Sequence, residues 1–474
     1  MKQKILNGCI SSAWIVIPFL LFLVFRLIGY NGLYGQDAFE YLRYTHVIGM
    51  FFRNGTLPGH FPWPPVYPAL GAIAGLIIPE TYALQIISLV SFGVSIRLME
   101  LILGLLYPEK RSDSRRFLIL FYALSPFVIR YSTTVMSDGL ALCFSLASLY
   151  FTLLFKATSK PRHFLLLSFF LFLAVNTRFS SAVILAIPVF YALRHFVHRF
   201  NIWYFILTIA AVTIIFAPNI LLDLKNPIAI HNQYLAMSWR PAHIFSNTFL
   251  NVDGISAYFF PNILFIFSNL VNPGFIFPGL LFLVFFIRNL NIKNSWGPWM
   301  TAYLLYSVFI GFFPVQNARY LLFSFPVVLV IYYESWMKLT SLVRKLKNMV
   351  IITFLIILVQ VGLIIRAEQP FIENCWITRE VALQVGHYPG RKVYEFNIAM
   401  AFPAYGVTNP SENLWSRKID RFDTGALVVF NYRETEERWK GLNPMLNWET
   451  LKSGYRLALL HPMDYGWNIY EIKP

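Results

Sequence analysis

Two carboxylates and two tyrosines fall at Asp37, Glu40, Tyr41 and Tyr44. That is the i, i+3, i+4, i+7 spacing of one helical face. They follow directly on an apolar run from Ile10 to Tyr30. The chain is 57% hydrophobic and 13% charged, so acids are scarce and a pair where the chain leaves an apolar run needs a reason. One reason is structural: an acidic N-cap with Glu three residues on is a capping box. The other is chemical. A carboxylate in a cavity at a membrane surface, held within hydrogen-bond reach of a hydroxyl, can remove its proton as a general base. Partial burial would raise the Asp37 pKa and strengthen that base. The two readings are compatible, because a cap can frame a catalytic acid.

A second acid, Asp138, stands in Ser137-Asp138-Gly139 just before another apolar run. Ser137 or Asp138 could be an N-cap there. Equally, Asp138 could bind a sugar hydroxyl, a cation or a backbone amide that shapes a site. Two cations complete the set. Arg178 ends one apolar run and Arg319-Tyr320 opens another, both on the face where arginine is not favoured, so each needs an anion or water. Either they snorkel to lipid headgroups, or their guanidinium forks grip a phosphate. Arg43, Arg130, Lys225 and Arg240 are weaker candidates of the same kind. His46 and His60 share one loop, but two histidines do not make a metal site. No cofactor is expected; a divalent cation bridging carboxylate and phosphate is chemically allowed but not indicated. No Walker loop, HExxH, GxSxG or dinucleotide fingerprint is present.

The elements that must position these residues are membrane helices. Apolar runs near 11–30, 82–106, 117–131, 138–155, 164–177, 180–194, 202–220, 272–288, 298–313, 319–336 and 349–366 predict about 11 spans of an α-helical polytopic membrane protein. The net charge of +16 would suggest nucleic acid in a soluble protein. Here the basic residues sit in alternate short loops, so topology explains them and no nucleic acid is expected. Lys110, Arg111, Arg115 and Arg116, then Lys156, Lys160 and Arg162, then Arg194 and Arg199 all fall on the side of Lys2 and Lys4. Arg288 and Lys293, then Lys338, Arg344, Lys345 and Lys347, continue the alternation. That side should be the cytoplasm. With Lys2 and Lys4 before it, the first run reads as an uncleaved helix.

The opposite face then receives a first outer loop (31–81), a second (221–271) and the C-terminal region. Prolines from Pro58 to Pro68 forbid a continuous helix there, and 69–78 is too short to span, so an interfacial or re-entrant helix is expected. Residues 1–366 read as the membrane domain. Residues 367–474 read as a small soluble α/β domain on the outer face, with strands at Arg391–Phe396, Ala426–Phe430, Arg456–Leu460 and Trp467–Ile472. Cys9, Cys143 and Cys375 form no CxxC, so neither a disulfide framework nor a zinc site is supported.

Four stretches, in order, resemble the GT-C superfamily of membrane glycosyltransferases, in the branch of protein O-mannosyltransferases and lipid A aminoarabinose transferases. Gly35-Gln36-Asp37-Ala38-Phe39-Glu40-Tyr41 resembles its first acidic motif, and Pro64-Pro65-Val66-Tyr67-Pro68-Ala69-Leu70 the stretch before its interfacial helix. Met136-Ser137-Asp138-Gly139 resembles its second acidic motif, and Asn317 to Pro326 its late Arg-Tyr span. There are departures. Many relatives have adjacent Asp-Glu where Ala38 and Phe39 separate Asp37 from Glu40, and Glu where this chain has Asp138.

The resemblance implies a multi-pass protein of a bacterial inner membrane, N-terminus cytoplasmic and C-terminal domain periplasmic. It implies inverting transfer from a polyprenyl-phosphate-linked sugar to a lipid, glycan or protein acceptor. Asp37 would be the base, Arg319 or Arg178 would stabilise the leaving phosphate, and Glu40, Tyr41, Asp138 and Tyr320 would contact substrate. The alternatives are a transporter or flippase of polyprenyl-linked glycans, or a non-catalytic assembly protein of the same fold. Acids at the outer interface rather than the midplane favour the enzyme.

Overall fold

The computed structural model describes residues 12–59, 61, 63–108, 112–198, 202–222, 239–251, 254–288, 297–345 and 349–474. Lys2, Lys4, Cys9, His60, Lys110, Arg111, Arg199, Lys225, Lys293 and Lys347 lie outside the described residues. The first half of the chain folds as helices α1 (Ala13–Leu27), α2 (Gly35–Asn54), α3 (Val66–Ala74), α4 (Glu80–Leu106), α5 (Ser112–Ala123) and α6 (Pro126–Thr133). There follow α7 (Asp138–Thr158), α8 (Pro161–Val175), α9 (Ser181–Ile184), α10 (Ala186–His198) and α11 (Ile202–Leu222).

After a short hairpin of β1 (Thr248–Asn251) and β2 (Gly254–Ala257) come α12 (Asn262–Phe265), α13 (Gly279–Arg288), α14 (Gly297–Gly311), α15 (Ala318–Leu321), α16 (Phe325–Lys345) and α17 (Met349–Gly386). Every predicted apolar run overlaps a helix. Among the described residues, α4, α7 and the 354–386 part of α17 are long and apolar enough to cross a membrane by length and composition. Three runs are broken. The run at 117–131 divides between α5 and α6 at Ser125-Pro126, because proline cannot continue the preceding helix and starts a new one at its first position. The runs at 180–194 and 319–336 are likewise divided, into α9 and α10 and into α15 and α16.

Helix α7 is the inner post of the bundle. Its buried face is built from Gly139, Ala141, Ser145, Ala147 and Ser148, small enough for neighbouring backbones to approach. Ser148 donates to the Leu167 carbonyl of α8 at 3.0 Å, while Ser145 and Thr152 bond within their own helix. In hydrocarbon such internal satisfaction is obligatory. Backbone meets backbone most closely at Gly93 on α4, where an added Cβ would collide with the Trp14 carbonyl oxygen of α1. Gly93→Ala is therefore expected to push α1 off α4 and cost about 1–3 kcal/mol as overpacking. A lowered thermal unfolding temperature of the detergent-solubilised chain would show it.

The described residues of the loop 31–81 are held by aromatic packing. Gly55 ends α2 in the left-handed conformation. The proline-rich segment then returns along α2, with Phe61 stacked on Tyr44 at 3.9 Å and Trp63 5.2 Å from Tyr41. Helix α3 lies where the short apolar stretch predicts an interfacial helix. Its Tyr67 hydroxyl donates to the Leu84 carbonyl at 3.0 Å and lies 2.8 Å from Ser88 Oγ, fixing α3 against α4.

Beyond residue 366, α17 continues unbroken to Gly386. A mixed sheet follows, in order β4 (Ser411–Asn413), β3 (Val393–Glu395), β5 (Leu427–Asn431), β7 (Trp467–Lys473), β6 (Arg456–Pro462). β3 runs parallel to β4 and β5, while β7 runs antiparallel to β5 and β6. One face packs on Val381, Ala382 and Val385 of α17. The other packs on Trp439 at the end of α18 (Tyr432–Trp439) and on Trp448 of α19 (Asn443–Gly454), with Trp448 stacked on Phe430 at 4.5 Å. The four predicted strands are present, and β4 is an addition. At the end of β3, buried Glu395 accepts the Ile398 and Ala399 N–H groups at 2.6 and 3.1 Å. Burial pushes its pKa up against those two bonds. The turn it holds leads into a 3-10 helix, Ala399–Tyr405, whose last ring packs edge-on against Phe39 of α2 at 6.4 Å. This sheet domain therefore touches the helix that carries Asp37.

Candidate active site

Asp37 is the third residue of α2, not its N-cap. The cap position is Tyr34, and no side chain caps the helix. The capping-box reading therefore does not form, and the carboxylate has another partner. Its Oδ2 accepts from Arg319 Nη1 at 2.6 Å, with the two side chains 30% and 18% exposed. Arg319 is delivered by the one-turn helix α15. Asn317 caps that turn, taking the Arg319 N–H at 3.1 Å, and is itself held by the Tyr131 hydroxyl at 3.1 Å. The Tyr306 hydroxyl donates to the Tyr320 carbonyl at 2.6 Å. Helices α6 and α14 thus help fix the guanidinium of α15 over the carboxylate of α2.

The second acid makes the second pair. Asp138 opens α7, but neither it nor Ser137 caps the helix by its side chain. Ser137 Oγ instead lies 2.7 Å from the Tyr41 hydroxyl. Asp138 Oδ2 accepts from Arg178 Nη1 at 3.1 Å, and this carboxylate is 1% exposed against 14% for its partner. The Tyr320 ring joins the two pairs, since the Arg319 and Arg178 guanidinium carbons lie 5.4 and 5.6 Å from its centroid. That is within cation–π range. Burial raises the Tyr41 pKa far above its ordinary value, so its hydroxyl stays a neutral hydrogen-bonding group.

The structure thus brings Asp37, Tyr41, Asp138, Arg178, Arg319 and Tyr320 together. Glu40, on the same face of α2 and 24% exposed, is engaged elsewhere: its carboxylate accepts from Arg43 Nε at 2.7 Å. Arg130 turns away from the site. Its guanidinium lies over Phe371 at 4.5 Å and bonds the Ala367 carbonyl. Arg240 lies at the start of the β1–β2 region, exposed. The sequence does not single out Tyr131 and Tyr306, and it points to Ser137 only as an N-cap and to Asn317 only as the start of the late Arg-Tyr stretch. Only Asn317, an asparagine two residues before an arginine, carried a local signal for its capping role.

Two polar atoms at the site are buried without a partner, Asp138 Oδ1 and Arg319 Nε. One is an acceptor and one a donor, so each keeps an unused hydrogen-bonding capacity at the site. Among the described residues, no group of three or more His, Cys, Asp or Glu side chains could hold a metal ion.

The architecture is that of a multi-helical membrane protein with an appended sheet domain, carrying a paired acid–arginine site at one end of its helices. Solved structures of ArnT are among those it resembles. ArnT from Cupriavidus metallidurans bound to undecaprenyl phosphate superposes with a TM-score of 0.59 at 11% identity, covering 97% of this chain and 98% of that one. The same protein in the apo state gives 0.56 at 13% identity with the same coverage. The chain therefore shares the whole ArnT fold, as the resemblance to GT-C enzymes implies. No family model and no curated protein matches the sequence.

Proposed function

We propose that this protein is an inverting glycosyltransferase that moves a sugar from a polyprenyl-phosphate-linked donor to an acceptor at the outer face of the membrane. The observation that carries the reading is the Asp37–Arg319 pair, a base and a phosphate-binding cation in direct contact. A fold shared with a protein solved with undecaprenyl phosphate bound supports the donor class.

In the proposed reaction the acceptor oxygen attacks the anomeric carbon as Asp37 takes its proton. The bond from that carbon to the phosphate oxygen breaks from the opposite face, and polyprenyl phosphate leaves with the electron pair. Arg319 stabilises the charge that develops on the leaving phosphate, with Arg178 behind it. Without donor, Asp37 and Arg319 neutralise each other. A donor phosphate competes for the guanidinium, and the carboxylate it displaces is free to accept a proton. Asp138 holds Arg178 and offers its unpartnered oxygen to a sugar hydroxyl. The outer loops and the C-terminal domain, 367–474, set acceptor choice, since Tyr405 of that domain leans on α2 beside Asp37.

Glu40 stands outside this machinery. Glu40→Gln is expected to leave transfer at the wild-type rate and to cost about 0.5 kcal/mol or less, the scale of an exposed i, i+3 pair. A large fall in transfer by that variant would return Glu40 to the site. Mass spectrometry of membrane lipids and glycans from a strain lacking the protein tests the function itself. An accumulating sugar-linked polyprenyl phosphate, with one glycan modification missing, is the expected result. An unchanged lipid pool would overturn the transferase reading. Donor trapped on the inner leaflet would favour a flippase.

A further inference from the structure

We propose that the exposed aromatic edge formed by Phe245, Phe259 and Phe260, within the described residues of 239–265, is a membrane foot seated in the acyl region of the outer leaflet beside the site. Its position comes from its anchors. The Arg240 N–H donates to the Phe312 carbonyl and Trp239 Nε1 to the Phe309 carbonyl, both at 3.0 Å. The Asn262 amide donates to the Gly311 and Phe313 carbonyls at 3.1 and 2.8 Å. All four bonds lie at the end of α14, whose outward stripe of Leu304, Leu305 and Val308 is open to the surroundings as a lipid-facing helix requires. Trp239 packs on Phe309 and Phe312, the next residues of that helix. The apolar stripe thus runs unbroken from the span into the segment.

The segment carries this apolar surface outward. Phe245 is 74% exposed and Phe259 89%, with Phe260, Leu250 and Leu264 also open. Phe259 and Phe260 pack edge to face at 4.5 Å and so present one aromatic knob. A soluble surface rarely concentrates large apolar side chains in so short a stretch. Tryptophan with an adjacent exposed arginine is the pairing found at the headgroup boundary, ring below and charge above. The occupant consistent with a surface continuous with lipid-facing helix is lipid. The foot also acts on the site. Gln316 donates to the Phe260 carbonyl at 2.7 Å, three residues before Arg319, so the depth of the foot sets the height of that guanidinium over the membrane. The inference does not depend on the transferase reading.

The test uses nitroxide labels on the full chain in nanodiscs of phosphatidylethanolamine and phosphatidylglycerol. Phe245→Cys and Phe259→Cys are compared with Leu305→Cys as a lipid reference and Lys418→Cys as a water reference, all with Cys9→Ser. Collisions with oxygen and with a water-soluble nickel chelate are measured. Labels at 245 and 259 should be reached by oxygen and shielded from nickel, as at 305. Accessibility like that of 418 would overturn the proposal. So would labels reached by neither reagent and dipolar-coupled between copies, which would make this edge a protein interface.

Discussion

Asp37→Asn is expected to lower sugar transfer by about 10²–10⁴-fold, the contribution of a positioned general base. Asparagine keeps the shape of the side chain and can still offer an oxygen to Arg319, but it cannot take the acceptor's proton. The fold should survive. The pair it interrupts is partly buried, at 30% and 18% exposed, but asparagine leaves Arg319 an oxygen to bond, so the loss stays below the ~3–5 kcal/mol of a broken buried pair. The clearest readout is the variant expressed in the deletion strain. It should reach wild-type abundance in the membrane and yet leave the glycan modification missing. Arg319→Lys is expected to weaken donor binding more than Glu40→Gln, because an ammonium cannot reproduce the planar fork that a phosphate matches.

The largest effect on stability is expected at Asp138. Its carboxylate is buried and its one ion-pair partner is Arg178. Asp138→Ala strands that guanidinium beside the Tyr320 ring without an anion. Breaking a buried pair in this way costs about 3–5 kcal/mol, and the low end applies because Arg178 retains some exposure. Removing both charges with Asp138→Leu and Arg178→Met should restore most of the unfolding temperature, since apolar groups of similar size replace a desolvated pair at little cost. The double variant should still transfer no sugar. Stability and activity then separate, which a purely structural pair could not produce. A thermal unfolding series in detergent, read beside transfer rates, checks both parts.

The helical elements were legible because bilayer thickness imposes a length on apolar runs, and all eleven runs met helices. Their interruptions were less so, although prolines stand at two of them. Pro126 marks the division between α5 and α6, and Pro188, which cannot bond back to the Ile184 carbonyl, marks the break between α9 and α10. The strand β4, Ser-Glu-Asn, has no strand propensity. It exists because parallel β3 supplies an edge for it. Residue types and spacing singled out both acids and both arginines, which the structure brings together as two pairs. They did not identify the pairing, because Asp37 and Arg319 are 282 residues apart and α2 begins two residues before Asp37, which removes the cap that local pattern suggested. Glu40 shares the spacing of Asp37 but pairs with Arg43, three residues further along α2, which spacing alone could not rank against a role at the site.

The most direct test of the central claim is release of free polyprenyl phosphate by the purified full chain in nanodiscs. Lipid extract from the deletion strain serves as donor source, and mass spectrometry follows the lipids. Wild-type protein with acceptor should convert sugar-linked lipid to free polyprenyl phosphate, while the Asp37→Asn protein, equally folded, should convert almost none. Equal conversion by both proteins would contradict the assignment of Asp37 as the base.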